Sequence, residues 1–180
     1  MLSPTRSVKR ASIASCVLGL LAYAPSAAAV EHQLQLTARA GFAWASGTHG
    51  GPAPAVEVHA NWGLNDAFSL YANASWSMAF PDLARNGPRH DAGLSVGVFY
   101  AFDYLRVVPY LGVGARADVF VAPGLRWWSP AAEARVGVSW LLKRSLALDL
   151  QAAYAFAFLD GDRANDLVSV TAGVSWRLDL

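Results

Sequence analysis

The stretch LQLTARAGFAW, residues 34–44, alternates without a break. Leu34, Leu36, Ala38, Ala40, Phe42 and Trp44 share one face, and Gln35, Thr37, Arg39 and Gly41 share the other. Period two is the signature of a β-strand, whose successive side chains point to opposite sides. A strand of this length is about twice the usual one in water-soluble proteins, and it is what a tilted strand needs to cross the hydrocarbon of a bilayer. The two faces are also unlike those of a soluble sheet: one is continuously apolar and aromatic, the other a mixture of glycine, small polar residues and charge.

The same pattern recurs to the end of the chain, in runs at 32–45, 55–64, 67–80, 91–102, 106–120, 131–142, 146–158 and 167–179. Connections alternate in length. Those at 46–54, 81–90, 121–130 and 159–166 are long, and those at 65–66, 103–105 and 143–145 are tight. Eight antiparallel strands with long loops at one end and short turns at the other predict an all-β fold, an eight-stranded antiparallel up-and-down transmembrane β-barrel. The apolar face carries no charge in any run and includes Val113 and Val136 near mid-strand. Its aromatic residues collect near strand ends: Trp62, Phe68, Tyr100, Phe102, Trp140 and Trp176 towards the turns, Phe42, Trp44, Trp76, Phe80, Phe156 and Phe158 towards the loops. Two such girdles suit the two headgroup layers of a bilayer. A soluble ligand-carrying barrel would turn this face inward, yet that many rings would overfill an eight-stranded interior, and the other face, rich in Gly41, Gly93, Gly97, Gly112, Gly114, Gly137 and Gly173, makes a poor solvent surface.

Residues 1–29 read as a cleaved secretory signal: Arg6, Lys9 and Arg10, then an apolar stretch from Ile13 to Ala24, then Pro25 and a small-residue site ending at Ala29. Residues 30–180 are then one barrel domain, with 11 basic and 13 acidic side chains. So even a balance leaves no basic stripe for nucleic acid. The one cysteine, Cys16, lies in the signal; too few residues separate it from Arg10 for the apolar core of a lipoprotein signal.

Val108-Pro109-Tyr110-Leu111-Gly112-Val113-Gly114 and the closing run 168–180 resemble the small eight-stranded outer-membrane proteins of the outer membrane protein A and X type. The resemblance implies residence in the bacterial outer membrane of a Gram-negative cell, a monomer among lipid and lipopolysaccharide, and delivery of the last strand to the barrel-assembly machinery. That signal usually ends in Phe or Trp; here the alternation holds through Val174, Trp176 and Leu178 but ends on Leu180. With no wall-binding domain after the last strand, the chain looks more like the X type.

The inward face carries Arg39, Glu57, His59, Arg116, Asp118, Glu133, Arg135, Asp149 and Arg177. Charges of both signs in a narrow interior predict a mutually satisfied network that plugs the barrel, Asp149 pairing with Arg177 across the last hairpin; the rival reading is a small gated pore. An enzyme acting on lipid A needs a histidine, a serine and an acid at the outer rim. Ser46, His49, His90 and Asp91 lie there, but no motif of such enzymes fits them, so no catalysis and no cofactor are expected. The loop 160–166 offers oxygen ligands but lacks the spacing of a calcium loop, and ordinary turn chemistry accounts for it. Arg85, Arg89, Arg126, Trp127 and Trp128 are the candidates for surface contact, either with lipopolysaccharide phosphates or by folding over the barrel mouth. The role expected is structural, in envelope integrity or surface contact.

Overall fold

The computed structural model describes residues 33–46, 51–79, 88–102, 106–158 and 166–179. They form eight strands: β1 (Gln33–Ala45), β2 (Gly51–Gly63), β3 (Phe68–Ala79), β4 (Arg89–Ala101), β5 (Val107–Ala122), β6 (Leu125–Lys143), β7 (Leu146–Ala157) and β8 (Leu167–Asp179). Each strand pairs antiparallel with the next, and β8 returns to β1, so the sheet closes as an up-and-down barrel. Among the described residues no helix is long and apolar enough to cross a membrane.

The register sets the shape. Following paired residues around the wall from Gln35 through Asn61, Tyr71, Gly97, Gly114, Glu133, Ala155 and Leu167 leads back to β1 at Ala45, a stagger of ten residues. With strands about 4.8 Å apart and a rise of about 3.3 Å per residue, that stagger tilts the strands by about 40°.

Two segments expected to be loops are strands. β2 begins at Gly51, so Pro52 and Pro54 pair with Trp44 and Phe42 of β1. Among the described residues, pairing of β2 with β3 begins at Ala55, so neither proline's missing N–H interrupts that ladder. The larger difference is the span 121–130. β5 runs on to Ala122 and β6 starts at Leu125, joined by Pro123 and Gly124 alone. Alternation persists through the span, with Trp128 outward and Ser129 inward. Pro130 fits because its carbonyl accepts from Phe158 N beside the end of β7, so its missing N–H falls outside the β5 ladder. At the opposite end, Asn65 Oδ1 accepts from the backbone N–H groups of Ala67 and Phe68 and holds the β2–β3 turn.

Gly124 has φ of +73°, and the proline before it is the usual partner of such a residue in a type II turn. Gly124→Ala should destabilise the barrel by about 1 kcal/mol and Gly124→Asn by less, since asparagine tolerates the left-handed region. Urea titration of the refolded protein measures both.

Candidate functional site

Alternation around a closed wall sends one set of side chains into the interior, and there the buried residues include arginines and carboxylates in close contact. Arg135 donates to Glu133 through Nε at 2.5 Å and Nη2 at 2.9 Å, and its Nη1 reaches Glu57 at 3.3 Å. Arg116 grips Asp118 through Nε at 2.7 Å and 2.8 Å and meets Glu133 at 3.3 Å and the Ser75 hydroxyl at 2.9 Å. Arg39 holds Asp149 at 2.5 Å through Nε, with Glu57 at 3.7 Å from its Nη1. Glu57 and Glu133 therefore link the three arginines into one chain of charge across the lumen. Buried ions survive only when paired this way, because the cost of desolvation is repaid by several short, charge-assisted bonds to each group.

Glycines make these reaches across the wall. Tyr71 on β3 shares a row with Gly97 on β4, Gly114 on β5 and Glu133 on β6. With no side chains between them, the Tyr71 hydroxyl donates to Glu133 at 3.1 Å, and a methyl group at Gly97 or Gly114 would collide with the tyrosine. Tyr110, Gly137 and Gln151 form a second such row. Asp149, Gly173 and Arg39 form a third.

That third row corrects the expected pairing of Asp149. Its register partner is Gly173, so the guanidinium that arrives over it comes from β1 and not from Arg177. Both carboxylate oxygens are taken: Oδ1 by Arg39 and the Tyr110 hydroxyl at 2.9 Å, Oδ2 by the Ser139 hydroxyl at 2.6 Å. Arg177 stands nearer the turn end, half-buried, lining a cavity there. His59 is fully buried, its ring stacked 5.4 Å from Tyr71 and 5.3 Å from Phe99.

The loop end of the lumen is closed by other means. Ala43, Ala55, Ala131, Ala155 and Leu167 form an apolar cluster on one side. On the other, Phe120 stacks on Trp127 at 5.1 Å, and the guanidinium of Arg89 lies 4.7 Å from the Phe120 ring. Arg89 and Trp127 were expected at the surface; Arg89 is buried inside and Trp127 is half-buried in a strand. The pattern had already carried this information, since Arg89 shares parity with Asp91 and Gly93, and Trp127 with Ser129. Arg126 and Trp128 do face outward and are exposed, Trp128 by 63%. Arg85 lies outside the described residues, as do His49, Phe80 and most of the loop 160–166. Of the residues considered for catalysis, His90 faces outward and stacks on Trp76, Asp91 is buried inside, and Ser46 accepts from Asp166 N at the β1–β8 edge. No cluster of three or more histidine, cysteine or acidic side chains able to hold a metal occurs among the described residues.

No protein-family model and no curated protein sequence matches the chain. Solved structures do. Neisserial surface protein A superposes with a TM-score of 0.69 at 19% identity, over 83% of this chain and 100% of that one. The outer membrane protein OprG of Pseudomonas aeruginosa gives 0.62 at 8% identity, over 83% and 97%. Ail, the attachment invasion locus protein of Yersinia pestis, gives 0.59 at 11% identity, over 82% and 99%. The chain has the fold of the small eight-stranded outer-membrane barrels.

The Arg39–Asp149 contact makes a direct prediction. Asp149→Asn should destabilise by roughly 3 to 5 kcal/mol by stranding a buried guanidinium. Combined with Arg39→Gln it should be clearly non-additive, and with Arg177→Gln additive within about 0.5 kcal/mol. Double-mutant cycles on urea unfolding of the refolded protein give both couplings.

Proposed function

We propose that the chain is an integral, monomeric protein of the bacterial outer membrane whose plugged interior makes it a structural and surface-contact element of the envelope, neither an enzyme nor a pore. The observation that carries this reading is the outward face. Leu94, Val58, Val96 and Val136 are each at least 60% exposed in the isolated chain, and among the described residues the outward face of the strands carries charge only at the two ends of β6, at Arg126 beside the loop-end tip and at Lys143 beside the turn. So large an apolar surface is unstable in water and matched to lipid.

Aromatic residues border it at two levels. Trp62, Phe68, Tyr100, Phe102, Trp140 and Trp176 ring the turn end, with Phe68 and Tyr100 in edge contact at 5.1 Å and Tyr100 and Phe102 at 4.6 Å. Phe42, Trp44, Trp76, Trp128, Tyr154, Phe156 and Phe158 ring the loop end. On β3 the rings are the eight residues from Phe68 to Trp76 apart, about 20 Å along the barrel axis at this tilt, close to the height of the apolar band of such barrels. Arg126, one outward position beyond Trp128, is placed for phosphates of the lipopolysaccharide headgroup layer. The outward residues Val174, Trp176 and Leu178 of β8 are the part offered to the barrel-assembly machinery. Ail, the attachment invasion locus protein, gives a precedent for surface contact on this fold, at an identity too low to carry a partner across.

Cell fractionation tests the location. The protein should sediment with outer membranes and migrate faster in unheated than in heated detergent gels; recovery in the soluble periplasm would overturn the reading. In planar bilayers the purified barrel should give no channel steps, because the charge network and the Phe120–Trp127 closure leave no continuous aqueous path. Val136→Arg should lower stability in lipid vesicles by about 2 to 4 kcal/mol. A near-neutral effect there would mean that the face meets water.

A further inference from the structure

The turn end of β6 breaks the alternation that governs the rest of the wall. Trp140 faces outward and pairs with Leu148, and Leu141 pairs with the buried, inward Ala147. Strict parity would then turn Leu142 outward and Lys143 inward. A β-bulge intervenes: β6 advances two residues while β7 advances one, and Lys143 pairs with Leu146. Leu146 shares a face with Leu148 and Leu150, and its partner on β8 is the outward Trp176. The extra residue thus carries a lysine onto the lipid side, level with the turn-end ring of aromatic residues, and such re-aiming of a side chain is a usual effect of a bulge. We propose that the β6–β7 turn, with Lys143 at its centre, is a docking site for the phosphate of one anionic phospholipid in the turn-side leaflet, a site that presupposes the outer-membrane reading above.

Positive charge collects at this turn and is not spent within the protein. Arg144 follows Lys143, and both are exposed. Arg106, also exposed, is held beside them, because the N–H of Leu141 donates to its carbonyl at 2.7 Å. Among the described residues none of these three cations makes an ion pair. The charges around them do not cancel the excess. Asp103, outside the described residues, stands in the β4–β5 turn against Arg106, and Arg177 and Asp179 on β8 are one of each sign. Glu31 and Asp66 belong elsewhere on the rim, ahead of β1 and in the β2–β3 turn. Lys143 and Arg144 therefore remain as uncompensated charge.

The surroundings select a lipid over a soluble anion. Trp140 on β6 and Trp176 on β8 bracket the site, exposed by 56% and 48%, and Leu148 and Leu150 of β7 run from between them into the apolar band. Indole rings settle at headgroup level, so an ammonium beside them lies where phosphates lie, its aliphatic stem covering apolar wall while the charge reaches outward. On the outward faces of the described strands the only other charge is Arg126, at the opposite end of the same strand, so the two ends of β6 address the two leaflets. An anionic headgroup gains from these clustered cations, whereas a zwitterionic one brings an ammonium of its own and gains little.

Tryptophan quenching in vesicles tests this. The full mature barrel is refolded into vesicles of phosphatidylcholine with a minor share of phosphatidylglycerol, and brominated acyl chains are placed on one lipid or the other. The signal of Trp140 is the difference from a Trp140→Phe variant. Brominated phosphatidylglycerol should be enriched about threefold over brominated phosphatidylcholine beside Trp140, and high salt should erode that enrichment. Lys143→Gln combined with Arg144→Gln should abolish it; Lys143→Arg, which keeps the charge, and Arg126→Gln, at the other leaflet, should leave it in place. Equal quenching by the two lipids in the unaltered protein, an enrichment indifferent to salt, or one that survives the double substitution would overturn the proposal. Failed insertion gives a different result: neither lipid quenches, which removes the outer-membrane reading and this site with it.

Discussion

Closure of the sheet is the constraint from which the other features follow. Eight strands returning to β1 with a stagger of ten residues fix an interior that is narrow, bounded on all sides and the same width whatever side chains enter it. The backbone then has no lateral edge to satisfy and contributes no further freedom. Everything about this molecule that is individual must lie in how the interior is filled and in what the exterior touches.

Filling is achieved by pairing long side chains with absent ones. An arginine, a tyrosine or a phenylalanine on one strand is accommodated by a glycine on the next, as Tyr71 is by Gly97 and Gly114, Phe99 by Gly112 and Tyr110 by Gly137. The long residue lies along the wall across the gap and delivers its polar end to a strand two or three places away. This is how charges on β1, β2, β5, β6 and β7 come to share one network. Such a network is weak evidence for high stability, since a well-packed apolar interior would do as well. Its consequence is specificity, because a slip of one residue anywhere in the wall would turn the charges outward and break several pairs at once.

The outward face was readable in the sequence because it depends only on parity within each strand, and parity survives without knowing which strand lies beside which. Most of the interior charge set, from Arg39 to Asp149, survived with it, though Arg89 and Asp91 are buried inside as well. The partners did not, because they depend on register. Asp149 was assigned to Arg177 as its neighbour across one hairpin, whereas the row through Gly173 carries it past β8 to Arg39 on β1, a contact that exists only once the barrel closes. The span 121–130 was misjudged for another reason. Two prolines and two adjacent tryptophans carry the composition of a loop, but each proline stands where no ladder bond is lost, Pro123 in the turn and Pro130 facing the end of β7. Parity at Phe120, Trp127 and Ser129 outweighed composition there.

The same alternation distributes function. Outside, the chemistry is uniform along the strands and changes only at the two aromatic rings, so the exterior can specify a membrane and a depth but little else. Inside, the distribution is polar from end to end and asymmetric. The loop end packs an alanine cluster and a ring stack around a cavity of about 10 Å³, while the turn end keeps a recess of about 40 Å³ with Phe99 and Tyr110 in its lining. Buried polar atoms without a hydrogen bond occur near that recess, at His59 Nδ1 and Asn61 Oδ1, and elsewhere in the lumen, at the hydroxyls of Ser129 and Thr171. Replacing His59 with phenylalanine and Asn61 with leucine would fill much of the space with apolar volume and remove two unsatisfied groups. That these positions are polar is a cost in folding terms, borne because the parity that keeps apolar side chains against lipid turns every other position of the wall inward.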